Sequence, residues 1–292
     1  CILMETEIWP NLIHALKQYS IPSILINARL SARSLEKYQK YAPTLIRKTL
    51  NDLNLIATQN QNSAARFIQL GAPKDQVVNT GNIKFDLNPI ANSAITDELK
   101  QIIGQRKVIS FASTHAGEEA QIIKSYLKVQ DRIDALLVII PRHPERFNEV
   151  EKLAKNASLT SARRSNAKPN TTAQILLGDS IGEMLSYFSI SDVVFMGGSL
   201  NQTGGHNMLE PAALSKPIIF GPNVFNFAEI SSDLLNNQGA IQVQNADELF
   251  TQIIDLLDSP EQLNNLGTNA KQYFDSQQGA VKKIAKLVES II

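Results

Sequence analysis

Short apolar runs alternate with longer segments of helical periodicity along this chain. Ten runs rich in Val, Ile and Leu predict strands at residues 1–4, 23–27, 53–58, 76–81, 107–113, 135–141, 174–179, 192–198, 216–222 and 240–244. The segments between them predict helices, including those around residues 11–19, 117–130, 144–156 and 180–188. Continuous apolar strands separated by helices are typical of a parallel sheet covered on both faces. The pattern therefore predicts an α/β fold that is doubly wound, and the length of 292 residues favours two domains.

A domain boundary is predicted in the stretch FDLNPIANSAITDEL, residues 85–99, where Pro89 and several Asn and Ser residues separate a strand from a helix near Thr96. This assigns residues 1–88 to the first domain and residues 89–292 to the second, with the final helix expected to pack back on the first. The polar, basic stretch at 160–172 predicts a solvated loop. The last segment predicts a helix, a break at Gly279 and a second helix.

Composition and charge exclude several function classes. Lys and Arg number 28 against 28 for Asp and Glu, so there is no global basic field and nucleic acid is not an expected partner. The one cysteine, Cys1, excludes an internal disulfide framework and a thiolate metal cluster. No apolar run approaches the roughly 20 residues that span a bilayer, so membrane attachment would be peripheral or would lie outside the given sequence. Because the chain opens with CILMETEIWP rather than an initiator Met, we expect a fragment whose upstream residues are missing.

The stretch GGSLNQTGGHNMLEP, residues 197–211, follows one predicted strand and precedes another. Gly204 and Gly205 permit positive φ and a close backbone approach. A helix is expected to begin near His206 or Asn207, leaving free N–H groups that favour an anion. Glu210 lies three residues beyond Asn207 and suits the two hydroxyls of a ribose. The simpler alternative is a glycine-rich turn in which Asn207 caps a helix.

Three further turns follow predicted strands. Arginine side chains, which match a phosphate, occur at Arg142 and Arg146 in PRHPERF, together with His143. ASTHAGEE places Ser113 and His115 before a helix whose first acids also fit simple capping. GDSIGEM places Gly182 at another turn. Four such turns at one edge of one sheet predict a nucleotide site.

The first domain carries its polar residues in three short segments. METEIWPNL places Glu5 and Glu7 after a strand, NARLSARS adds Arg29 after the next, and TGNIKFD adds Lys84 and Asp86. Each segment alone is as compatible with a structural role as with a functional one. If they converge, they predict a site for an anionic substrate rich in hydroxyls.

Seven segments of this sequence resemble, in order, the motifs of the bacterial 3-deoxy-D-manno-octulosonic acid (Kdo) transferases. They are METEIWPN, NARLSARS, TGNIKFD, ASTHAGEE, PRHPERF, GEM and GGSLNQTGGHNMLEPA. The resemblance implies a GT-B fold, in which two Rossmann-like domains face a cleft, the first being incomplete here. It implies transfer of Kdo from CMP-Kdo to lipid IVA in lipopolysaccharide biosynthesis, by an inverting displacement that releases CMP. It also implies attachment to the cytoplasmic face of the inner membrane through a missing N-terminal anchor, and neither a metal nor another cofactor.

The resemblance also implies site residues. The donor CMP is expected to contact Arg142 through its phosphate and Glu210 through its ribose, with its base beside the GEM turn. The residues expected to bind CMP are Arg142, His143, Gly182, Glu183, Met184, Gly204, Gly205, Asn207 and Glu210. The residues expected on the Kdo or acceptor side are Glu7, Arg29, Lys84, Ser113 and His115. The family's proposed base is a Glu in an N-terminal GE motif that this sequence does not contain, so the chain alone is expected to bind CMP without turnover.

Two alternatives remain open at this point. The first is another GT-B nucleotide-sugar enzyme, such as a UDP-sugar transferase or an epimerase, which would share the glycine-rich turn and its Glu. The second is a noncatalytic protein that binds a nucleotide sugar.

Overall fold

The computed structural model describes residues 1–291, which form two compact units. The first consists of residues 1–87 together with the segment that begins at Ser276, and the second runs from Asn88 to Asp275. Each unit contains one parallel sheet with helices packed against it. The structure thus has the two parallel sheets of the GT-B fold.

The first unit contains four parallel strands in the order β1-β2-β3-β4. The strands are β1 (Ile2–Met4), β2 (Ile24–Ala28), β3 (Leu55–Thr58) and β4 (Val77–Asn79). Its helices are α1 (Pro10–Gln18), α2 (Ala32–Tyr41), α3 (Pro43–Asn51), α4 (Gln61–Gln69) and the last helix of the chain, α13 (Ala280–Glu289). The apolar core includes Leu25, Ile56 and Phe67, all fully buried.

Asp86 fixes the start of helix α13. Its carboxylate accepts hydrogen bonds from the backbone N–H groups of Gly279 and Val281. A carboxylate at a helix N-terminus satisfies otherwise unpaired donors and complements the helix dipole. Gly279, where the sequence predicts a helix break, has a left-handed φ of 105°. The side chain of Asp86 is therefore occupied within the fold.

The second unit contains seven parallel strands in the order β11-β10-β9-β5-β6-β8-β7. The strands are β5 (Lys107–Thr114), β6 (Ala135–Pro141), β7 (Ser161–Arg163), β8 (Ile175–Leu177), β9 (Val193–Met196), β10 (Ile218–Phe220) and β11 (Ala240–Gln242). The helices are α5 (Ser93–Ile103), α6 (Glu118–Leu127), α7 (Phe147–Asn156), α8 (Met184–Ile190), α9 (Leu209–Ala213), α10 (Ala228–Asn236), α11 (Ala246–Asp258) and α12 (Pro260–Ser276). Two apolar clusters pack on the sheet: one includes Phe111, Phe195 and Phe250, and the other includes Leu136 and Tyr187.

A partly buried lysine closes the C-terminal end of helix α8. Lys216 Nζ donates to the carbonyl oxygens of Ser189 at 2.8 Å and Ser191 at 2.9 Å. Burial lowers the pKa of Lys216, although the nearby Asp192 opposes this effect. The ammonium satisfies carbonyl groups that the ending helix leaves unpaired.

All ten predicted strands are present, but the prediction of a solvated loop at 160–172 is wrong in part. Residues 161–163 form the edge strand β7, and Arg163 pairs with Glu151 at 2.7 Å. Arg164 pairs with Glu98 at 2.6 Å and with Glu183 at 3.2 Å. The basic side chains that suggested solvent exposure are held by acids from elsewhere in the chain.

Candidate functional site

The strand order of the second sheet places its candidate site. The chain runs from β5 through β6 toward β8 on one side of the sheet, and from β9 through β10 to β11 on the other. The order therefore reverses between β5 and β9, and doubly wound sheets bind ligands at such a switch point, beyond the carboxyl ends of the strands. The four predicted turns follow β9, β5, β6 and β8, which are consecutive neighbours. The structure thus brings them to one edge.

Backbone packs directly on backbone beneath this edge. A Cβ on Gly197 would lie 2.6 Å from the carbonyl oxygen of Ser113, and one on Gly221 would lie 2.4 Å from that of Ser199. Ser113 itself has a left-handed φ of 55°, and the register between β5 and β6 shifts at this point. The amides of Gly204 and Gly205 both donate to the carbonyl of Gly198, at 3.0 and 2.7 Å. The glycine-rich segment is therefore a compact loop folded on itself.

A buried carboxylate holds the start of this loop. Glu118 is fully buried, and its oxygens accept the N–H groups of His115 at 2.9 Å, Gly198 at 2.7 Å, Ser199 at 3.0 Å and Leu200 at 2.9 Å. Burial raises the pKa of Glu118, and the four backbone donors partly offset that effect. Glu118 thus satisfies N–H groups that would otherwise be free to bind an external anion.

The predicted helix start near His206 is wrong. Helix α9 begins at Leu209 and has 5 residues, too few to provide a strong anion site at its N-terminus. Asn207 precedes it, and its Oδ1 accepts the N–H of Leu209 at 3.2 Å. Glu210 is half-buried, and burial raises its pKa while a hydrogen bond with Asn207 opposes the rise. Asn207 therefore takes the structural role of the simpler alternative at the start of α9.

The two arginines of PRHPERF have different surroundings. Arg146 is only 9% exposed, and its guanidinium binds both oxygens of the fully buried Glu119, which also accepts from Thr114. Arg142 is exposed, and its side chain has no hydrogen-bond or ion-pair partner among residues 1–291. Of the two, only Arg142 offers a guanidinium fork to a ligand, because the charge of Arg146 is already neutralised inside the protein.

Three of the four histidines meet at this edge. His115 Nε2 and His206 Nε2 lie 2.7 Å apart, and the ring of His143 meets that of His115 edge-on at 5.2 Å. Burial lowers the pKa of His206 to about 4, and the positive charges of its neighbours add to this. Burial also lowers the pKa of His115. His206 is not among the site residues predicted from the sequence; its position directly after Gly204 and Gly205 was the available signal.

A cavity of about 140 Å³ opens between the turns that follow β6 and β8. Its walls include apolar atoms of Pro141 and Met184, with Gly182, Arg142 and Ser113 also on its lining. The remaining predicted member of this turn, Glu183, has its carboxylate bound to Ser180 Oγ at 2.7 Å and to Arg164. The cavity is lined by apolar side chains, one arginine and hydroxyl-bearing residues, a composition suited to a nucleobase attached to an anion.

In the first unit, the predicted acceptor-side residues follow β1, β2 and β4. Lys84 Nζ lies 3.4 Å from a carboxylate oxygen of Glu5. Glu7 accepts the indole N–H of Trp9 at 2.7 Å, and Arg29 is exposed without a side-chain partner among the described residues. The amide of Arg29 donates to the carbonyl of Glu5 at 3.3 Å. The turns after β1, β2 and β4 therefore meet at one edge of the first sheet.

Two classes of feature are absent from residues 1–291. They contain no group of three or more His, Cys, Asp or Glu side chains arranged to hold a metal ion. Within the same residues, no helix combines the length and apolarity needed to cross a membrane.

Comparison with known proteins places the chain in a family. Residues 1–87 match the family described as 3-Deoxy-D-manno-octulosonic-acid transferase (kdotransferase), and residues 120–273 match glycosyl transferases group 1. The 3-deoxy-D-manno-octulosonic acid transferase of Haemophilus influenzae is 42% identical over 296 residues, covering 99% of this chain and 69% of that protein. The chain belongs to the 3-deoxy-D-manno-octulosonic acid transferase family. The Bordetella pertussis Kdo transferase is 33% identical, with 99% and 68% covered.

Solved structures agree with this assignment. The C-terminal CMP-Kdo binding domain of WaaA from Acinetobacter baumannii is 34% identical, with a TM-score of 0.58, and covers 62% of this chain and 98% of that one. The UDP-GlcNAc 2-epimerase of Neisseria meningitidis, bound to UDP-GlcNAc, has a TM-score of 0.66 at 16% identity and covers 99% of this chain and 75% of that one. The second likeness concerns the fold alone. The resemblance to Kdo transferases inferred from the motifs is confirmed.

Proposed function

We propose that this Kdo transferase family member transfers Kdo from CMP-Kdo to lipid IVA, and that the edge of the second sheet binds the donor. One observation carries the donor assignment: Arg142 is unpaired at the switch point, whereas Arg146 and Glu118 are committed to internal contacts. The C-terminal CMP-Kdo binding domain of WaaA from A. baumannii, which matches 62% of this chain, supports such a donor.

Each part of the donor has a matching group. Arg142 provides a guanidinium for the phosphate, and Glu210 provides an acceptor for the ribose hydroxyls. The cavity beside Gly182 and Met184 takes the cytosine. His143 lies on the turn that carries Arg142, and Gly204 and Gly205 lie in the glycine-rich loop that precedes Glu210. Ser113 and His115 are assigned to the Kdo moiety.

The reaction is an inverting displacement at the anomeric carbon. The acceptor hydroxyl forms the new bond as the bond to the CMP phosphate breaks, and CMP leaves with its charge stabilised by Arg142. The hydroxyl proton requires a base.

The acceptor is assigned to the first unit. Arg29, unpaired among the described residues, offers a positive charge to an anionic lipid, while Lys84, beside Glu5, and Glu7 lie on the neighbouring turns. We assign the reaction to the cytoplasmic face of the inner membrane, where a lipid acceptor would be presented. Loss of affinity for lipid IVA vesicles in Arg29→Ala, with CMP affinity unchanged, would support this division of roles.

Calorimetric titration of the chain with CMP and UDP tests the donor assignment. Arg142→Ala should weaken CMP binding by about 10- to 100-fold, because a charge-assisted hydrogen bond is worth roughly 1.5–3 kcal/mol. Glu210→Ala should also weaken it, whereas the exposed Arg132→Ala, a matched loss of charge, should not. Binding of UDP as tight as that of CMP would instead favour a UDP-sugar enzyme.

A further inference from the structure

His115 and His206 form a hydrogen-bonded pair across the switch point. Their rings are nearly coplanar, with an interplanar angle of 10°, and their Nε2 atoms are 2.7 Å apart. Two nitrogens at this distance must share a hydrogen, so one ring carries it on Nε2 and the other presents an Nε2 lone pair. In the neutral pair the second ring then carries its hydrogen on Nδ1, and the first ring has a free Nδ1 lone pair.

Gly198 forms the floor beneath the pair. A Cβ at this position would lie 3.1 Å from Cδ2 of His206 and 3.4 Å from Cδ2 of His115. Gly198 also has a left-handed φ of 69°, and Glu118 holds its amide. The loop geometry thus leaves room for both rings and fixes their separation.

The charged groups facing the pair come from the segment after β6 and from helix α6, and most of them are positive. Arg142, His143 and Arg146 follow β6 and all oppose protonation of His115, while Glu119 of helix α6 favours it. Arg142 and His143 also oppose protonation of His206. In the free protein the pair is therefore kept neutral beside an unpaired guanidinium. A bound anion would add negative charge next to the pair and so favour its protonation.

We propose that the His115–His206 pair takes up one proton when the anionic group of the donor binds beside Arg142, so that the pair joins the anion site only in the complex. This rests on the proposed donor site. The proton comes from solvent and adds to the free Nδ1 lone pair, and no other bond is made or broken. The resulting single positive charge is shared by the two rings and adds to that of Arg142. His206 then becomes a positioning residue for the donor.

Calorimetry in buffers of different ionisation enthalpy measures the proton directly. The probe is the methyl phosphodiester of CMP, whose phosphate keeps one negative charge throughout the working range. Binding near pH 7 should be accompanied by uptake of up to about one proton, and affinity should rise by up to about tenfold for each pH unit lowered. His206→Gln should abolish the uptake, whereas His14→Gln, which changes an exposed histidine of the first unit, should leave it unchanged.

The outcomes separate this inference from the proposed function. Binding without proton uptake overturns the inference and leaves the donor site standing, while absence of binding removes both. Uptake that persists in His206→Gln also overturns it. If that variant does not fold, nitrogen-15 spectra of the wild-type histidines decide: the inference requires one ring of each neutral tautomer in the free protein and an imidazolium signal after the probe is added.

Discussion

Glu118→Gln is the most informative single substitution in the second unit. The amide has nearly the shape of the carboxylate, but only one of its two terminal atoms accepts hydrogen bonds. In the native protein Oε1 accepts from Ser199 and Leu200, while Oε2 accepts from His115 and Gly198. Whichever way the glutamine is oriented, two N–H groups lose their acceptor and face a donor.

The expected cost follows from those contacts. Two hydrogen bonds to a charged acceptor are worth roughly 3–6 kcal/mol. The neutral glutamine avoids the cost of burying a charge, which offsets part of this loss, so the net loss of unfolding free energy is about 2–4 kcal/mol. Because 1.4 kcal/mol is a factor of ten, amide exchange at Gly198, Ser199 and Leu200 should accelerate by about 10- to 1000-fold. Hydrogen exchange of peptides spanning residues 196–203, together with urea unfolding, measures both effects.

A matched control is Glu261→Gln, which removes an exposed charge from the first turn of α12 and should cost less than about 1 kcal/mol. If Glu118→Gln behaves like this control, the reasoning is refuted. Such a result would mean that burial raises the pKa of Glu118 far enough to keep it protonated, so that the loop is held by a neutral acid.

Four further outcomes follow from contacts described above. Lys216→Met should lower unfolding free energy by about 1–3 kcal/mol in urea, because two carbonyl groups at the end of α8 lose their donor; an unchanged midpoint would contradict it. Asp86→Ala should cost about 1–2 kcal/mol and speed amide exchange in the first turn of α13, and exchange at the wild-type rate would argue against capping. Gly197→Ala forces a Cβ toward the carbonyl of Ser113 and should reduce CMP affinity at least about tenfold in calorimetry, so wild-type affinity would be inconsistent with the close approach. Folding lowers the pKa of His206 from 6.5 to about 4, so between these pH values the unfolded chain binds a proton that the folded chain does not. The free energy of unfolding should therefore fall by about 1–2 kcal/mol, after allowance for solvent screening, as the pH drops from 6.5 to about 4. His206→Gln should remove this pH dependence.

The strands were predictable because a buried parallel strand is apolar on both faces, as in residues 135–141. Edge strand β7 was missed because only one neighbour pairs with it, and its Arg163 finds Glu151 through tertiary packing. The hydrophobic periodicity of the sequence cannot indicate a partner that is brought close only by tertiary packing.

The candidate site, like the strands, could be predicted from the sequence only in part. The glycines and Arg142 were identifiable from residue type and position after a strand. The contact between His115 and His206 depends on β5 and β9 being neighbours, although the two residues are far apart in sequence. The commitment of Glu118 to the loop after β9 depends on the same pairing. Residue chemistry predicts which groups are available to a ligand, but sheet order decides which are already occupied.

The close backbone contacts at Gly197 and Gly221 also limit how this protein can diversify. At both positions any side chain would meet a backbone carbonyl oxygen, that of Ser113 in β5 or that of Ser199 in the loop after β9, so the contact tolerates no substitution without backbone movement. Under the proposed donor site, a change of nucleotide preference would therefore come from exchangeable side chains around the cavity, such as Met184, rather than from the loop beneath it. A combinatorial library that leaves the two glycines fixed and varies the cavity wall should retain far more folded members than one that samples both alike.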